Sequence, residues 1–170
     1  MEKLNQYINS YVDFPKKGII FRDALGILQE PKIFKELIEK MSFSELFNNA
    51  EAIISVDARG FIFGSAISLK TLKPMIVARK PNKLPGQLLK RSYDMEYGKN
   101  TLSIQREALN KYKTFVIVDD LLATGGTVNC IYEMVNELGK KITGLSVVIE
   151  LQKLSGRKKL SFEVDSQIIY

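Results

Sequence analysis

The sequence predicts an α/β fold: a central, mostly parallel sheet flanked by helices. Two observations carry that reading. Apolar runs at residues 52–56, 75–78, 114–118 and 145–149 are short and continuous, as strands buried on both faces are. Several of the segments between them carry apolar residues at helical spacing instead. A third observation, two adjacent carboxylates followed by a loop of small residues, indicates where in such a fold a ligand belongs.

Taken in order, residues 1–10 place Leu4, Tyr7 and Ile8 on one helical face and predict a first helix. Pro31 suits the opening turn of a second, in which Ile33, Phe34, Leu37, Ile38 and Met41 recur at three-and-four spacing. The run at 52–56 is closed by Asp57-Ala58-Arg59-Gly60. The helix expected over 61–69 is rich in small residues (Gly64, Ser65, Ala66) that suit close packing. A strand follows at 75–78. Residues 93–97 and 101–105 alternate and read as an extended hairpin or ribbon. The run at 114–118 ends in Asp119-Asp120. Beyond Thr124-Gly125-Gly126-Thr127, a helix is signalled by Val128, Ile131, Val135 and Leu138 and is stopped by Gly139. The run at 145–149 is the last strong strand, and Phe162-Glu163-Val164 predicts a closing one. Cys130 falls near the apolar side of its helix, where packing is the expected role. Lys140-Lys141, just past the helix end, reads as a complement to the dipole.

With 170 residues, 45% hydrophobic and 26% charged, the chain suits one globular domain over residues 1–170. No apolar run approaches the ~20 residues of a membrane span, and residues 1–13 lack a signal-peptide layout. One cysteine excludes an internal disulfide framework and fits a reducing cytoplasm. Histidine is absent altogether, which removes Ser-His-Asp and Cys-His nucleophile systems, histidine metal sites and any histidine base. Proton transfer then falls to a carboxylate, Lys or Tyr. A metal would find only oxygen ligands, which suit Mg²⁺.

The net charge of +6 is local. Residues 70–91 hold seven of the 25 basic residues and no acidic one, leaving 18 basic against 19 acidic elsewhere. A defined anion site explains this better than a generally basic surface. A solvated basic loop is the plain alternative. Nucleic acid is not expected as a partner, because residues 70–91 have no aromatic residue to stack on bases and nothing near them reads as a nucleic-acid motif.

The sharpest motif is the strand Phe115-Val116-Ile117-Val118-Asp119-Asp120, followed by Leu121-Leu122-Ala123-Thr124-Gly125-Gly126-Thr127 and a helix. The strand delivers two carboxylates to the carboxyl edge of the sheet. The loop then offers backbone N–H groups and threonine hydroxyls at a helix N-terminus, which makes a phosphate cradle. Its glycine pattern is neither that of a Rossmann loop nor that of a P-loop. Carboxylates beside a phosphate loop suit a sugar phosphate, the acids taking ribose hydroxyls. The alternative is a capped turn whose aspartates only complement the helix dipole.

This strand and loop resemble the phosphoribosyl-pyrophosphate (PRPP) motif of type I phosphoribosyltransferases. Further segments resemble the branch of that family that acts on adenine. They are Phe14-Pro15-Lys16-Lys17-Gly18-Ile19-Ile20-Phe21-Arg22-Asp23, Asp57-Ala58-Arg59-Gly60-Phe61-Ile62-Phe63-Gly64, Arg79-Lys80-Pro81-Asn82-Lys83-Leu84-Pro85-Gly86 and Tyr93-Asp94-Met95-Glu96-Tyr97-Gly98, with Glu150-Leu151 and Gly156-Arg157-Lys158-Lys159-Leu160. They run in family order over nearly the whole chain.

The resemblance implies a small hood and a mobile β-ribbon loop beside the sheet, and a purine-salvage enzyme that makes AMP and pyrophosphate from adenine and PRPP. It implies that Asp119 and Asp120 face the ribose and that Ala123, Thr124, Gly125, Gly126 and Thr127 hold the 5′-phosphate. Arg59, Arg79 and Lys83 then lie on or near the pyrophosphate, the last two within the basic stretch already marked by its charge. Phe21 and Leu151 sandwich the purine, with Arg22 beside it. Glu96, on the mobile loop, is the acid/base candidate, since an ordinary glutamate is ionised at neutral pH and accepts a proton; the plain alternative is an exposed loop residue paired with a lysine. Mg²⁺ is expected to bind mainly through PRPP, and a homodimer is the family expectation. Gly156-Arg157-Lys158-Lys159-Leu160 reads as a solvated loop or interface element. Two other readings remain open: the same chemistry on another base, and a non-catalytic PRPP-sensing regulator.

Overall fold

The computed structural model describes residues 2–95 and 98–170. In chain order its elements are α1 (Glu2–Asn5), β1 (Asn9–Val12), β2 (Ile20–Asp23), α2 (Pro31–Ser42), α3 (Glu45–Asn48), β3 (Ala52–Val56), α4 (Gly60–Thr71), β4 (Met75–Ala78), β5 (Leu88–Met95), β6 (Gly98–Gln105), α5 (Arg106–Asn110), β7 (Thr114–Leu122), α6 (Gly126–Glu137), β8 (Lys141–Glu150) and β9 (Glu163–Ile169). Single 3₁₀ segments lie at Ala24–Gln29, Gln152–Leu154 and Gly156–Lys159.

The four apolar runs and the closing strand form one parallel five-stranded sheet, ordered β4-β3-β7-β8-β9. Successive residues of a strand point to opposite faces, and both faces are covered. Ile54 and Ile117 enter one core with Val128, Ile131 and Val135 of α6. Ile53, Val116 and Val118 enter the other with Leu37, Ile38 and Met41 of α2 and Phe63 and Ile67 of α4. Burying an Ile or Phe side chain fully is worth about 1.5–3 kcal/mol, so this double covering supplies most of the drive to fold.

Local signals end the helices as expected. Gly139 takes φ +67, and the N–H groups of Gly139 and Lys140 donate to the carbonyls of Asn136 and Val135 at 2.8 and 3.2 Å. That is the hydrogen-bond pattern of a Schellman stop. Cys130 packs in the core, with its Sγ 3.5 Å from the Arg91 carbonyl, and burial pushes its thiol up to about 11. The alternating segments pair as an antiparallel ribbon, β5 against β6, which lays Leu102 and Ile104 onto the first core.

Two expectations need correction. The first helix stops at Asn5, and residues 9–12 instead pair antiparallel with β2, Asn9 opposite Asp23 through Val12 opposite Ile20. A single helical turn is marginal, whereas the hairpin gives this backbone its partners. Lys140 does not serve the helix that precedes it. Its Nζ donates to the carbonyls of Asn110 and Tyr112 at 3.4 and 2.6 Å, neutralising the end of α5 instead.

Candidate active site

In the sheet, β4 lies on one side of β3, and β7, β8 and β9 lie on the other. The chain leaves β3 toward one edge and β7 toward the other, so their carboxyl ends bound a crevice, the usual ligand position in such sheets. A cavity of about 400 Å³ occupies it. Val56, Asp57, Ala58 and Arg59 line it from the β3 side, residues 119–128 from the β7 side, and Lys80, Tyr93, Asn100 and Thr101 complete the wall.

Asp119 and Asp120 are 9% and 5% exposed at the end of β7. Burial and the neighbouring charge of Asp120 raise the Asp119 carboxyl well above its ordinary value of 3.8. Burial also raises Asp120, against the pull of Arg59. The Arg59 Nε is 2.7 Å from Asp120 Oδ2, yet no N–H is aligned on that oxygen. The Asp120 N–H donates to Asp119 Oδ1 at 2.8 Å. These are desolvated acceptors with spare lone pairs, arranged to receive hydroxyl donors or a hard cation. Among the described residues no group of three or more His, Cys, Asp or Glu converges, so a cation here would need oxygens from a ligand.

The loop after the carboxylates turns through Gly125, whose φ of +81 suits glycine, and α6 begins at the next residue. The N-terminus of this 12-residue helix therefore faces the cavity with its partial positive charge. Thr127 Oγ1 lies 3.0 Å from the Tyr93 hydroxyl, which ties the β5–β6 ribbon to the loop.

The structure thus gathers Arg59, Asp119, Asp120, Ala123, Thr124, Gly125, Gly126 and Thr127 around one cavity. Arg79 stands behind it. Its Nε bonds Asp57 Oδ2 at 3.0 Å, and its Nη1 reaches the Lys83 carbonyl at 3.4 Å. Phe21 borders the site through Arg59, whose guanidinium lies 5.0 Å over its ring. Arg22 stacks 4.0 Å over the ring of Tyr170 and donates to Ser10. Leu151 is fixed at the carboxyl end of β7, its N–H donating to the carbonyl of the cavity-lining Leu122 at 2.9 Å. Glu96 lies outside the described residues.

Sequence reasoning missed Lys80 and Tyr93 as cavity residues, although both stand in segments it singled out. It also missed the burial of Gly156 and the partner of Arg157. Gly156 is buried against the loop: a Cβ there would meet the Ala123 carbonyl oxygen at 2.2 Å and the Gly125 nitrogen at 2.9 Å. Arg157 grips Glu150 with Nε at 2.9 Å and Nη2 at 2.5 Å. Gly156 is thus buried where a solvated loop was expected, while Arg157 stays 44% exposed along its side chain and still serves as the partner that a buried carboxylate at the end of β8 requires.

Residues 25–168 match the phosphoribosyl transferase domain family. The adenine phosphoribosyltransferase of Prochlorococcus marinus strain MIT 9515 is 64% identical over 168 residues, 99% of this chain and 98% of that protein. The crystal structure of adenine phosphoribosyltransferase from Thermoanaerobacter pseudethanolicus is similar with a TM-score of 0.93 at 37% identity, covering 99% of both chains. That of the Saccharomyces cerevisiae enzyme, complexed with an imino-altritol bisphosphate and adenine, is similar with a TM-score of 0.88 at 34% identity, covering 98% of this chain and 97% of that one.

Proposed function

The chain belongs to the phosphoribosyl transferase domain family, and on that premise we propose that it transfers the 5-phosphoribosyl group of PRPP to adenine, giving AMP and pyrophosphate. The observation that carries this reading is the pairing, in one cavity, of two buried carboxylates with a loop of backbone donors at a helix N-terminus.

Asp119 and Asp120 accept hydrogen bonds from the ribose hydroxyls, and residues 123–127 take the 5′-phosphate. Arg59 and Lys80, on the cavity wall, face the pyrophosphate; Arg79 orients Asp57 from behind, and Lys83 shares the same basic stretch. The adenine lies between Phe21 and Leu151, with Arg22 beside it. The base N9 attacks C1′ as pyrophosphate departs through an oxocarbenium-like centre, so the protein's main task is to neutralise the leaving group and exclude water. Glu96 accepts the proton that N9 loses. The carboxylate pair fits Mg²⁺ held mainly by PRPP oxygens, and such an ion would supply further charge neutralisation on the pyrophosphate.

The same reading places the enzyme in the cytoplasm and pairs it as a homodimer. Phe43, Leu69 and Leu72, which are 81%, 78% and 87% exposed near the ends of α2 and α4, support an apolar contact between copies. No helix among the described residues is long and apolar enough to cross a membrane.

The test mixes purified protein with PRPP, Mg²⁺ and, in turn, adenine, hypoxanthine, guanine, xanthine or orotate, and follows nucleotide and pyrophosphate. AMP from adenine alone is expected. Turnover of another base would retain the PRPP site and overturn the assignment of Phe21, Arg22 and Leu151. PRPP binding without turnover would make the chain a PRPP-sensing regulator.

A further inference from the structure

The segment after β8 touches both halves of the site. Leu151, the proposed base wall, is anchored to the last residue of β7 by its N–H on the Leu122 carbonyl. Five residues on, Gly156 lies flat against the loop that would hold the phosphate. The contact is reciprocal, since a Cβ on Gly125 would in turn meet the Gly156 carbonyl oxygen at 2.9 Å and its Cα at 3.4 Å. Only two bare backbones approach this closely.

What presses Gly156 there is its neighbour. The Arg157 guanidinium forks onto both oxygens of Glu150, donates from Nη1 to the Val164 carbonyl at 2.7 Å and reaches Ser166 Oγ at 3.0 Å. The Ser166 hydroxyl donates to Glu150 Oε2 at 2.7 Å. Glu150 is 4% exposed at the end of β8, and the Arg157 side chain, 44% exposed, closes over it from the surface. A planar fork suits two oxygens and a carbonyl at once in a way an ammonium does not.

We infer that Gly156 and Arg157 are positioning residues for PRPP: the Arg157–Glu150 fork holds the Gly156 backbone against Ala123 and Gly125 and so fixes the loop that receives the 5′-phosphate. The inference rests on the PRPP reading of the cavity. It concerns residues that do not themselves line the cavity, and it predicts a selective defect, on PRPP and not on adenine.

The experiment measures PRPP binding by titration calorimetry with Mg²⁺, the KM for PRPP and for adenine, and the melting temperature, for wild type, Gly156→Ala, Arg157→Lys and Arg157→Met. Displacing a binding loop by about 1 Å can cost as much as ~100-fold, so Gly156→Ala is expected to weaken PRPP binding at least about tenfold. The adenine KM at saturating PRPP should stay within about twofold. Arg157→Lys, which keeps the charge without the fork, should fall between wild type and Arg157→Met. Should Gly156→Ala fail to fold, the Arg157 pair carries the test. Wild-type PRPP affinity in these variants, or equal losses on PRPP and adenine that track the melting temperature, would overturn the positioning role and leave the PRPP reading intact. A wild-type protein that binds no PRPP would overturn both.

Discussion

Arg59 and Asp120 meet across the cavity wall, Nε to Oδ2 at 2.7 Å, and so join the loop after β3 to the end of β7. These are the two strands whose connections diverge; they pair as far as Ser55 opposite Val118, and the ion pair ties the loops beyond that point. The Arg59 side chain is 31% exposed and that of Asp120 only 7%, so the pair has one face toward incoming substrate and one toward the core. On the proposed reading, a cation held there is available to the pyrophosphate without abandoning the carboxylate assigned to the ribose.

Replacing Asp119 or Asp120 by Asn keeps the shape of the side chain and removes the charged acceptor. A hydrogen bond to a charged group is worth about 1.5–3 kcal/mol, so PRPP affinity should fall roughly ten- to a hundredfold in each variant. Titration calorimetry with PRPP and Mg²⁺ checks this. An unchanged affinity in both would remove the carboxylates from the ribose site.

The same pair sets a pH dependence. Asp119 in the folded protein holds its proton more tightly than in the unfolded chain, because burial and the charge of Asp120 raise it. The folded state therefore binds the extra proton, and stability falls as pH rises from the ordinary value of 3.8 through the raised one. In ligand-free protein, the melting temperature of Asp119→Asn should lack this decline. Glu150 has the opposite sign. The Arg157 hydrogen bonds lower it, so its contribution is present above the ordinary 4.5 and is lost as pH falls further. Glu150→Gln should therefore flatten the acid limb instead.

Tyr93 supplies a link from the ribbon to the loop, its hydroxyl 3.0 Å from Thr127 Oγ1. If Thr127 turns its one proton to the proposed phosphate, its oxygen is left to accept from Tyr93, and a hydroxyl that accepts from one partner donates better to the next. Tyr93→Phe removes one hydrogen bond worth about 1 kcal/mol, and the KM for PRPP should rise about fivefold. Thr127→Ala should abolish the effect of adding Tyr93→Phe. Additive losses would separate the two residues.

Much of this architecture was legible because local and global preferences agree. The run at 114–118 reads as a doubly buried strand and is one, and Gly139 stops its helix by a contact with residues just behind it. What stayed hidden depends on partners far along the chain. Residues 9–12 become a strand only because β2 lies beside them. Lys140 answers carbonyls at Asn110 and Tyr112, nearly 30 positions away. Gly156 meets Ala123 and Gly125 only after β8 has crossed the sheet. The basic stretch was visible as charge, but which lysine lines the cavity depends on where the chain runs after β4: Arg79 bridges to Ser103 of β6, and Lys80, the next residue, stands on the wall.

Two glycines of α4 separate binding from stability. Gly60 and Gly64 are one helical turn apart, and each stands where a methyl group does not fit. At Gly60 the Cβ would meet Asp119 Oδ1 at 2.8 Å and the Val118 carbonyl oxygen at 3.1 Å. At Gly64 it would meet Ser55 Oγ at 2.3 Å and Ser55 Cβ at 2.7 Å, away from the cavity. Alanine gains about 1 kcal/mol of helix propensity over glycine, while overpacking costs about 1–3 kcal/mol, and a fixed Cβ on a central strand cannot yield. Gly64→Ala should therefore lower stability by up to about 2 kcal/mol with PRPP affinity within about twofold of wild type. Gly60→Ala pushes a carboxylate assigned to the ribose under the proposed function, and PRPP affinity should fall about tenfold. Chemical denaturation and PRPP titration on both proteins decide it. If both variants lost affinity alike, α4 would act on the site as one body. If neither did, the contact of Gly60 with Asp119 would be packing alone.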